Sequence, residues 1–260
     1  MDIDTYNIGW TWGISTQATE GRPWGDIVAD GYYRLSEEDG ISKDDPNYGK
    51  ILVTEEGLVK TKSSQIIGNV TPDFLAGWRN DFSYKNLSFG VFLDLRIGGD
   101  IWSQSMSHAY TAGTASITAE GDIRERGIVA GRDVLPDLEF VKMDENGNYV
   151  PNDIETSAQY WFESGGCSEM YVFKGSFLKL REAYISYEIP RPWLAKTKFI
   201  SKATVSLIGT NLALLWVDKS NTMRLDPEAG GVSSDSRGVG FEQAGVPSSR
   251  SFGLKVGLTF

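Results

Sequence analysis

Residues 251–260 alternate without a break. Phe252, Leu254, Val256, Leu258 and Phe260 fall on one parity, and Ser251, Gly253, Lys255, Gly257 and Thr259 on the other. A period of two is the mark of a β-strand with one apolar and one polar face. The pattern runs into a final aromatic, where the end of a soluble domain normally frays into water. A strand of about ten residues, apolar outward and polar or glycine inward, is what a transmembrane β-barrel wall requires.

The same pattern recurs upstream. Phe74, Ala76, Trp78, Phe82 and Tyr84 share one parity, with Arg79, Asp81 and Ser83 opposite. After a short turn at Lys85 and Asn86, Leu87, Phe89, Val91, Leu93, Leu95 and Ile97 share a parity, with Ser88, Gly90, Asp94 and Arg96 opposite. Residues 176–187 form another strand, and the change of parity from Leu178 and Leu180 to Ala183, Ile185 and Tyr187 predicts a bulge near Arg181 and Glu182. Residues 201–215 form the next strand, with a slip expected at Ile208 and Gly209. Five strands are clear, and residues 1–35 hold a weaker strand and a short hairpin.

The connections alternate in length: a short turn at 85–86, a long stretch to about residue 174, a modest turn at 190–200, and a second long stretch over 217–247. Outer-membrane barrels join their strands by short periplasmic turns and long extracellular loops. With the C-terminus periplasmic, both long stretches fall outside the cell. The first holds an Asn146-Gly147 turn between apolar runs, a local hairpin signal. Residues 37–46 read as a solvated acidic loop without the spacing of a calcium site.

Composition excludes several classes. The net charge of −10 argues against a phosphate-binding surface, so nucleic acid is not a partner. One cysteine, Cys167, allows neither an internal disulfide nor a cysteine-based zinc site. The chain has no apolar run of transmembrane-helix length, and residues 1–4 lack the pattern of a signal peptide. The single histidine, His108, sits in the long stretch, and no Gly-x-Ser-x-Gly elbow accompanies it. The chain reads as a non-enzyme with no cofactor and no metal.

Several segments together resemble the C-terminal barrel of SusC/RagA-type TonB-linked outer-membrane proteins. These are Ile67-Gly68-Asn69-Val70-Thr71-Pro72-Asp73-Phe74, Phe82-Ser83-Tyr84-Lys85-Asn86, Gly98-Gly99-Asp100-Ile101, Ser176-Phe177-Leu178-Lys179-Leu180-Arg181-Glu182, Gly209-Thr210-Asn211-Leu212, Asp226-Pro227-Glu228 and Val256-Gly257-Leu258-Thr259-Phe260. The resemblance implies an all-β fold: an antiparallel transmembrane β-barrel fragment, residues 1–260 supplying C-terminal strands of a barrel of roughly twenty-two, with long extracellular loops. The plug and N-terminal strands are expected to lie outside this chain. It also implies location in the outer membrane of a Bacteroidetes-like Gram-negative cell. The implied function is TonB-dependent import of glycans or peptides. The implied partners are a SusD-like surface lipoprotein, outer-membrane lipid, and the TonB complex reached through the missing N-terminal part.

Site expectations follow. Trp102, Tyr110, Trp161 and Tyr171 offer flat apolar rings on which a sugar could stack, or they anchor the long stretch on itself or in an interfacial girdle. Phe260 is the candidate barrel-assembly terminus. Asp94, Arg96, Arg181 and Glu182 are expected on the polar face, as ordinary lumen packing or as a salt-bridge set along a solute route. The competing reading of the whole chain is a soluble secreted carbohydrate-binding β-sandwich, which would bury the apolar face of residues 87–97 in a core.

Overall fold

The computed structural model describes residues 5–11, 13–195, 199–229 and 240–260. Residues 1–4, read above for a leader, and part of the second long connection lie outside them. The described residues divide into two compact units, one drawn from stretches 71–99, 174–229 and 245–260, the other from 1–70, 100–173 and 230–244.

The first of these contains a five-stranded antiparallel sheet: β1 (Pro72–Tyr84), β2 (Leu87–Gly98), β3 (Phe177–Glu188), β4 (Lys202–Val217) and β5 (Ser251–Thr259). Sheet order equals chain order, so the sheet is a meander with β1 and β5 as its edges among the described residues. The expected Lys85-Asn86 turn joins β1 to β2, with Lys85 at φ 55. Register aligns the parities across all five strands. One row runs Phe82, Phe89, Ile185, Leu207, Leu254, and a neighbouring row runs Tyr84, Leu87, Tyr187, Val205, Val256. The Phe82 and Phe89 rings stack at 4.8 Å. On the opposite face Ser83, Ser88, Ser186, Ser206 and Lys255 form a polar row, with serine hydroxyls paired at 3.0 Å and 2.7 Å.

The predicted bulge is present: both pairings of β3 shift register between Leu180 and Glu182. The slip expected at Ile208 and Gly209 is not. Those residues pair regularly with Tyr184 and Ala183, and the register of β4 shifts instead at Asn211 and Leu212, which lie opposite Arg181, and at Leu215, with Asn211 at φ 51. Ile208 is an apolar residue on the polar face, which mimics a register change in sequence.

Gly90 answers a steric need. A Cβ there would lie 2.3 Å from the Tyr184 ring and 2.3 Å from Asp81 Oδ1, because Tyr184 crosses the position to donate to Asp81 at 2.7 Å.

The other unit holds the stretch in which the sequence shows no sustained period. Strands Thr5–Thr11, Ile14–Thr19, Asp26–Tyr32 and Thr61–Asn69 form an antiparallel sheet. The hairpin signalled by Asn146-Gly147 is formed by Phe140–Met143 and Tyr149–Pro151. Helices Gln104–Thr111 and Ala158–Ser164 are each capped by a serine, Ser103 accepting from Met106 N at 3.0 Å and Ser157 from Tyr160 N at 3.3 Å. Buried Glu242 accepts from the Ser103 and Ser105 hydroxyls, at 2.6 and 2.9 Å, so the strand Phe241–Glu242 is fixed beside Asp100–Ser103.

Cys167 lies in this unit, 2% exposed, and burial pushes its thiol up to about 12. A buried thiol held protonated is a poor nucleophile. We expect no reaction with a water-soluble disulfide reagent at pH 8 until the unit unfolds. Stoichiometric labelling of the native protein would show that the unit is open around Cys167.

Candidate functional site on the polar face of the meander

The polar face of β2 and β3 carries an ion-pair cluster centred on Lys179. Its side chain is 5% exposed, and Nζ donates to Asp226 at 2.5 Å and to Glu228 at 2.6 Å. Arg181, displaced by the bulge, donates Nε to Asp94 Oδ2 at 2.7 Å and also pairs with Glu228. Arg96 lines the same recess as Asp94 and Glu228. Three cations, Lys179, Arg181 and Arg96, thus face three anions, Asp94, Asp226 and Glu228, and the cluster is neutral as a set. The ammonium of Lys179 also lies 5.2 Å from the centre of the buried Phe177 ring.

Local sequence explains the placement of the two acids. Asp226 Oδ1 accepts from Glu228 N at 3.0 Å, closing a tight turn around Pro227 that points both carboxylates the same way. Upstream, Asn221 is 2% exposed and brackets the loop, accepting from Leu225 N at 2.9 Å and donating to Leu225 O at 2.8 Å. The loop is tied at its start by Asp218 N donating to Ser176 O and by Lys174 N donating to Ser220 Oγ. Ser176 also accepts from Gly98 N at 2.9 Å, so the start of β3, the end of β2 and the loop share one anchor.

Burial opposes ionisation of Asp226, yet the hydrogen bonds from Lys179, Ser248 and Glu228 N outweigh it and hold the carboxyl below its ordinary value. Glu228 is lowered likewise, burial opposing and Arg181 and Lys179 prevailing. Such an arrangement is an electrostatic lock that fastens a loop to a sheet face. It presents no nucleophile with an adjacent base. Among the described residues no group of three or more His, Cys, Asp or Glu side chains converges as a metal site.

No family model matches the chain. TonB-dependent receptor P26 of Formosa agariphila is 25% identical over 209 residues, covering 79% of this chain and 19% of the relative. TonB-dependent receptor P3 of the same organism is 25% identical over 208 residues, covering 78% and 18%. A solved structure of the RagAB peptide importer in its closed-closed state matches with a TM-score of 0.53 at 20% identity, over 100% of this chain and 25% of that one. The open-open state matches at 0.52 and 18% identity, over 99% and 24%. The chain is thus similar in sequence to TonB-dependent receptors, and its fold is similar to that of a SusC/RagA-type importer. It spans about a fifth of the length of the curated relatives it matches.

Within this chain the four ring candidates are core residues. Trp102, Tyr110, Trp161 and Tyr171 are all buried. Tyr110 packs edge-on against Tyr171 at 5.8 Å and against Phe162 at 6.0 Å, and Phe162 packs against Trp161 at 5.3 Å. Trp102 packs edge-on against Phe241 at 6.4 Å. Tyr110 and Tyr171 thus meet directly and Trp161 joins them through Phe162, and all are buried; self-anchoring of the stretch is the arrangement found. Phe260 is exposed and stacks with Phe199 at 6.2 Å, beside the 190–200 turn. Arg181 and Asp94 lie where the alternation put them, whereas Glu182 pairs with Arg79 at 3.4 Å in a separate group. The part of Lys179 was missed. A lysine two positions before an arginine on one strand face, with an Asp-x-Glu downstream, was the available signal.

Proposed function

We propose that the meander is part of the wall of an outer-membrane TonB-dependent import barrel, its apolar rows toward lipid and its charged face toward the lumen. The observation that carries this reading is the exposure of the apolar rows. Leu207 and Leu254 are 52% and 71% exposed, and the rows are continuous across five strands. So large an apolar face belongs against hydrocarbon or a partner, and a β-sandwich would bury it under a second sheet. From Phe74 to Tyr84 the strand covers about 33 Å at about 3.3 Å per residue, and a tilt of about 40° projects this to about 25 Å, the height of an apolar band. Aromatic side chains mark both ends: Tyr84, Tyr187, Trp193, Phe199 and Phe260 by the short turns, Phe74 and Trp216 at the other.

In this reading the chain supplies C-terminal barrel strands of a longer receptor that imports glycans or peptides. A SusD-like surface lipoprotein serves as its partner, by analogy with the RagAB peptide importer. TonB acts through parts of the receptor outside this chain. The lock of Lys179, Asp226 and Glu228 fastens the 218–229 loop to the lumen wall.

Single cysteines at Ser206, Leu207, Leu254 and Lys255 of the receptor test the reading in native outer membranes. Positions 206 and 255 are expected to react with a water-soluble maleimide, and 207 and 254 only with a lipid-partitioning one. A cysteine at exposed Ser116 is expected to label in intact cells with an impermeant reagent. Equal aqueous labelling of all four strand positions would remove the lipid-facing assignment.

A further inference from the structure

Beside the lock lies a second recess of about 230 Å³, lined by Asn211, Ala213, Arg224, Asp226, Ser248 and Arg250 among others. Its charges divide sharply. Asp226 is engaged by Lys179 and Ser248, and Lys179 by Asp226 and Glu228. The guanidiniums of Arg224 and Arg250 have no partner among the described residues. We propose that Arg224 and Arg250 together bind one monoanionic oxyanion group, a carboxylate or a sulfate ester, carried by the imported solute. This rests on the lumenal reading of the polar face.

The frame holding the two arginines is built before any ligand arrives. Asn211 Nδ2 donates to Ser249 O at 3.5 Å, which ties the bulge of β4 to the residue preceding Arg250. Ser248 Oγ donates to Asp226 Oδ2 at 2.5 Å, which ties the same segment to the 218–229 loop. Arg224 is held at φ 52, a conformation non-glycine residues seldom adopt, by its N–H donating to Asn221 O at 3.0 Å and by the Asn221 bracket on Leu225. The surrounding hydrogen bonds over-determine that backbone conformation and so fix the direction of the Arg224 Cα–Cβ bond. Three walls are therefore hydrogen-bonded to one another, and a preorganised frame spares the ordering cost of binding.

Ligand class follows from charge and size. Arginine presents a planar fork of donors that matches the two oxygens of a carboxylate or sulfate, and it does not lose its charge. Asp226 in the same recess disfavours a second negative charge on the ligand, so a monoanion fits better than a phosphate dianion. The volume falls below the range of about 300–1,000 Å³ that takes a whole small molecule, so one substituent of a larger solute enters. In a chain of net charge −10, an anionic solute is repelled by the general field and is caught only where unpaired cations stand together.

The test is equilibrium binding to the full receptor in detergent, with heat-modifiable gel mobility checking that each variant is folded. N-acetylated, C-terminally amidated triglutamate is compared with triglutamine blocked in the same way, and glucose 6-sulfate with glucose. We expect at least one anion to bind about tenfold more tightly than its neutral analogue, R224Q and R250Q each to weaken that anion about tenfold, and the double variant to lose the discrimination. Preference for triglutamate identifies a peptide source and preference for the sulfated sugar a glycan source; either supports the proposal. An adventitious interaction is shown, and the proposal overturned, if neither anion is preferred or if the preference survives in the double variant. The cysteine pattern on β4 and β5 is read separately. Loss of arginine-dependent binding with that pattern intact refutes the recess alone, and the converse refutes the barrel reading alone.

Discussion

Arginine placed at Val91 or Phe252 is expected to lower the stability of the receptor folded into lipid vesicles by about 2–4 kcal/mol, whereas Gly253→Arg and Lys255→Arg are expected to cost less than about 1 kcal/mol. Val91 and Phe252 lie in one row, joined through Ala183 and Gly209, and that row sits between the two aromatic ends of the sheet. In the proposed orientation a guanidinium there would reach the middle of the hydrocarbon, where neither water nor headgroups can solvate it. Gly253 and Lys255 point to the other face, and a Cβ at Gly253 meets nothing within 4 Å. The alternation alone offers Gly90 as a polar-face control, but Tyr184 and Asp81 occupy the space a side chain would need. Arginine at Gly90 would therefore destabilise for steric reasons on either reading. Equal losses at 252 and 253, measured by urea titration of folding into vesicles, would contradict the lipid-facing assignment.

Lys179→Met is expected to release the 218–229 loop, at a cost of about 3–5 kcal/mol for removing one partner of a buried ion pair. Methionine keeps nearly the same volume, so the effect reports charge and not a cavity. Asp226, with 11% of its side chain exposed, would be left as a buried carboxylate without its cation. Limited trypsin digestion reads the outcome as new cleavage after Lys219 or Arg224. Adding Asp226→Asn should restore part of the protection, because a neutral amide has no buried charge to compensate. Acid should do what the substitution does. Both carboxyls are lowered in the folded state, so their contribution is fully present above their unfolded values near pH 4 and is lost as pH falls through the folded values. Pepsin cleavage of the loop in the wild type should therefore rise below about pH 3. A loop equally protected from pepsin at about pH 4.5 and about pH 2.5 would show that the lock does not hold it.

The five-stranded meander was legible in sequence because a two-residue period with one apolar face leaves a signal at every position. Residues 87–97 and 252–260 carry it unbroken, and even the bulge at Arg181 and Glu182 is visible as a change of parity. Ile208 defeats the same logic, since one apolar residue on the polar face looks like a slip. The aromatic stretch was less legible. Helices Gln104–Thr111 and Ala158–Ser164 are too short to establish a 3.6-residue period, and their ring contacts join residues far apart in the chain. Nothing local distinguishes Tyr110 packed against Tyr171 from a tyrosine offered to a ligand. The lock was half legible: Asp94 and Arg181 follow from parity, while the part of Asp226 and Glu228 depends on a loop folding back on the sheet.

The order of events in assembly follows from the meander. β1 with β2, and β3 with β4, are hairpins whose ends are brought together by short connections. Joining β2 to β3 requires closing a connection about forty times longer than the Lys85-Asn86 turn, an added chain-entropy cost of about 3 kcal/mol if the connection were a free coil. It is not a free coil. The stretch between them condenses around Trp161 and Phe162, and its flanks meet where Gly175 N donates to Gly99 O at 2.7 Å. The seam between β2 and β3 is therefore expected to close after the two hairpins, at a rate that depends on how fast that aromatic core forms. A substitution at Trp161 is expected to slow assembly of the sheet without changing a residue of the sheet itself.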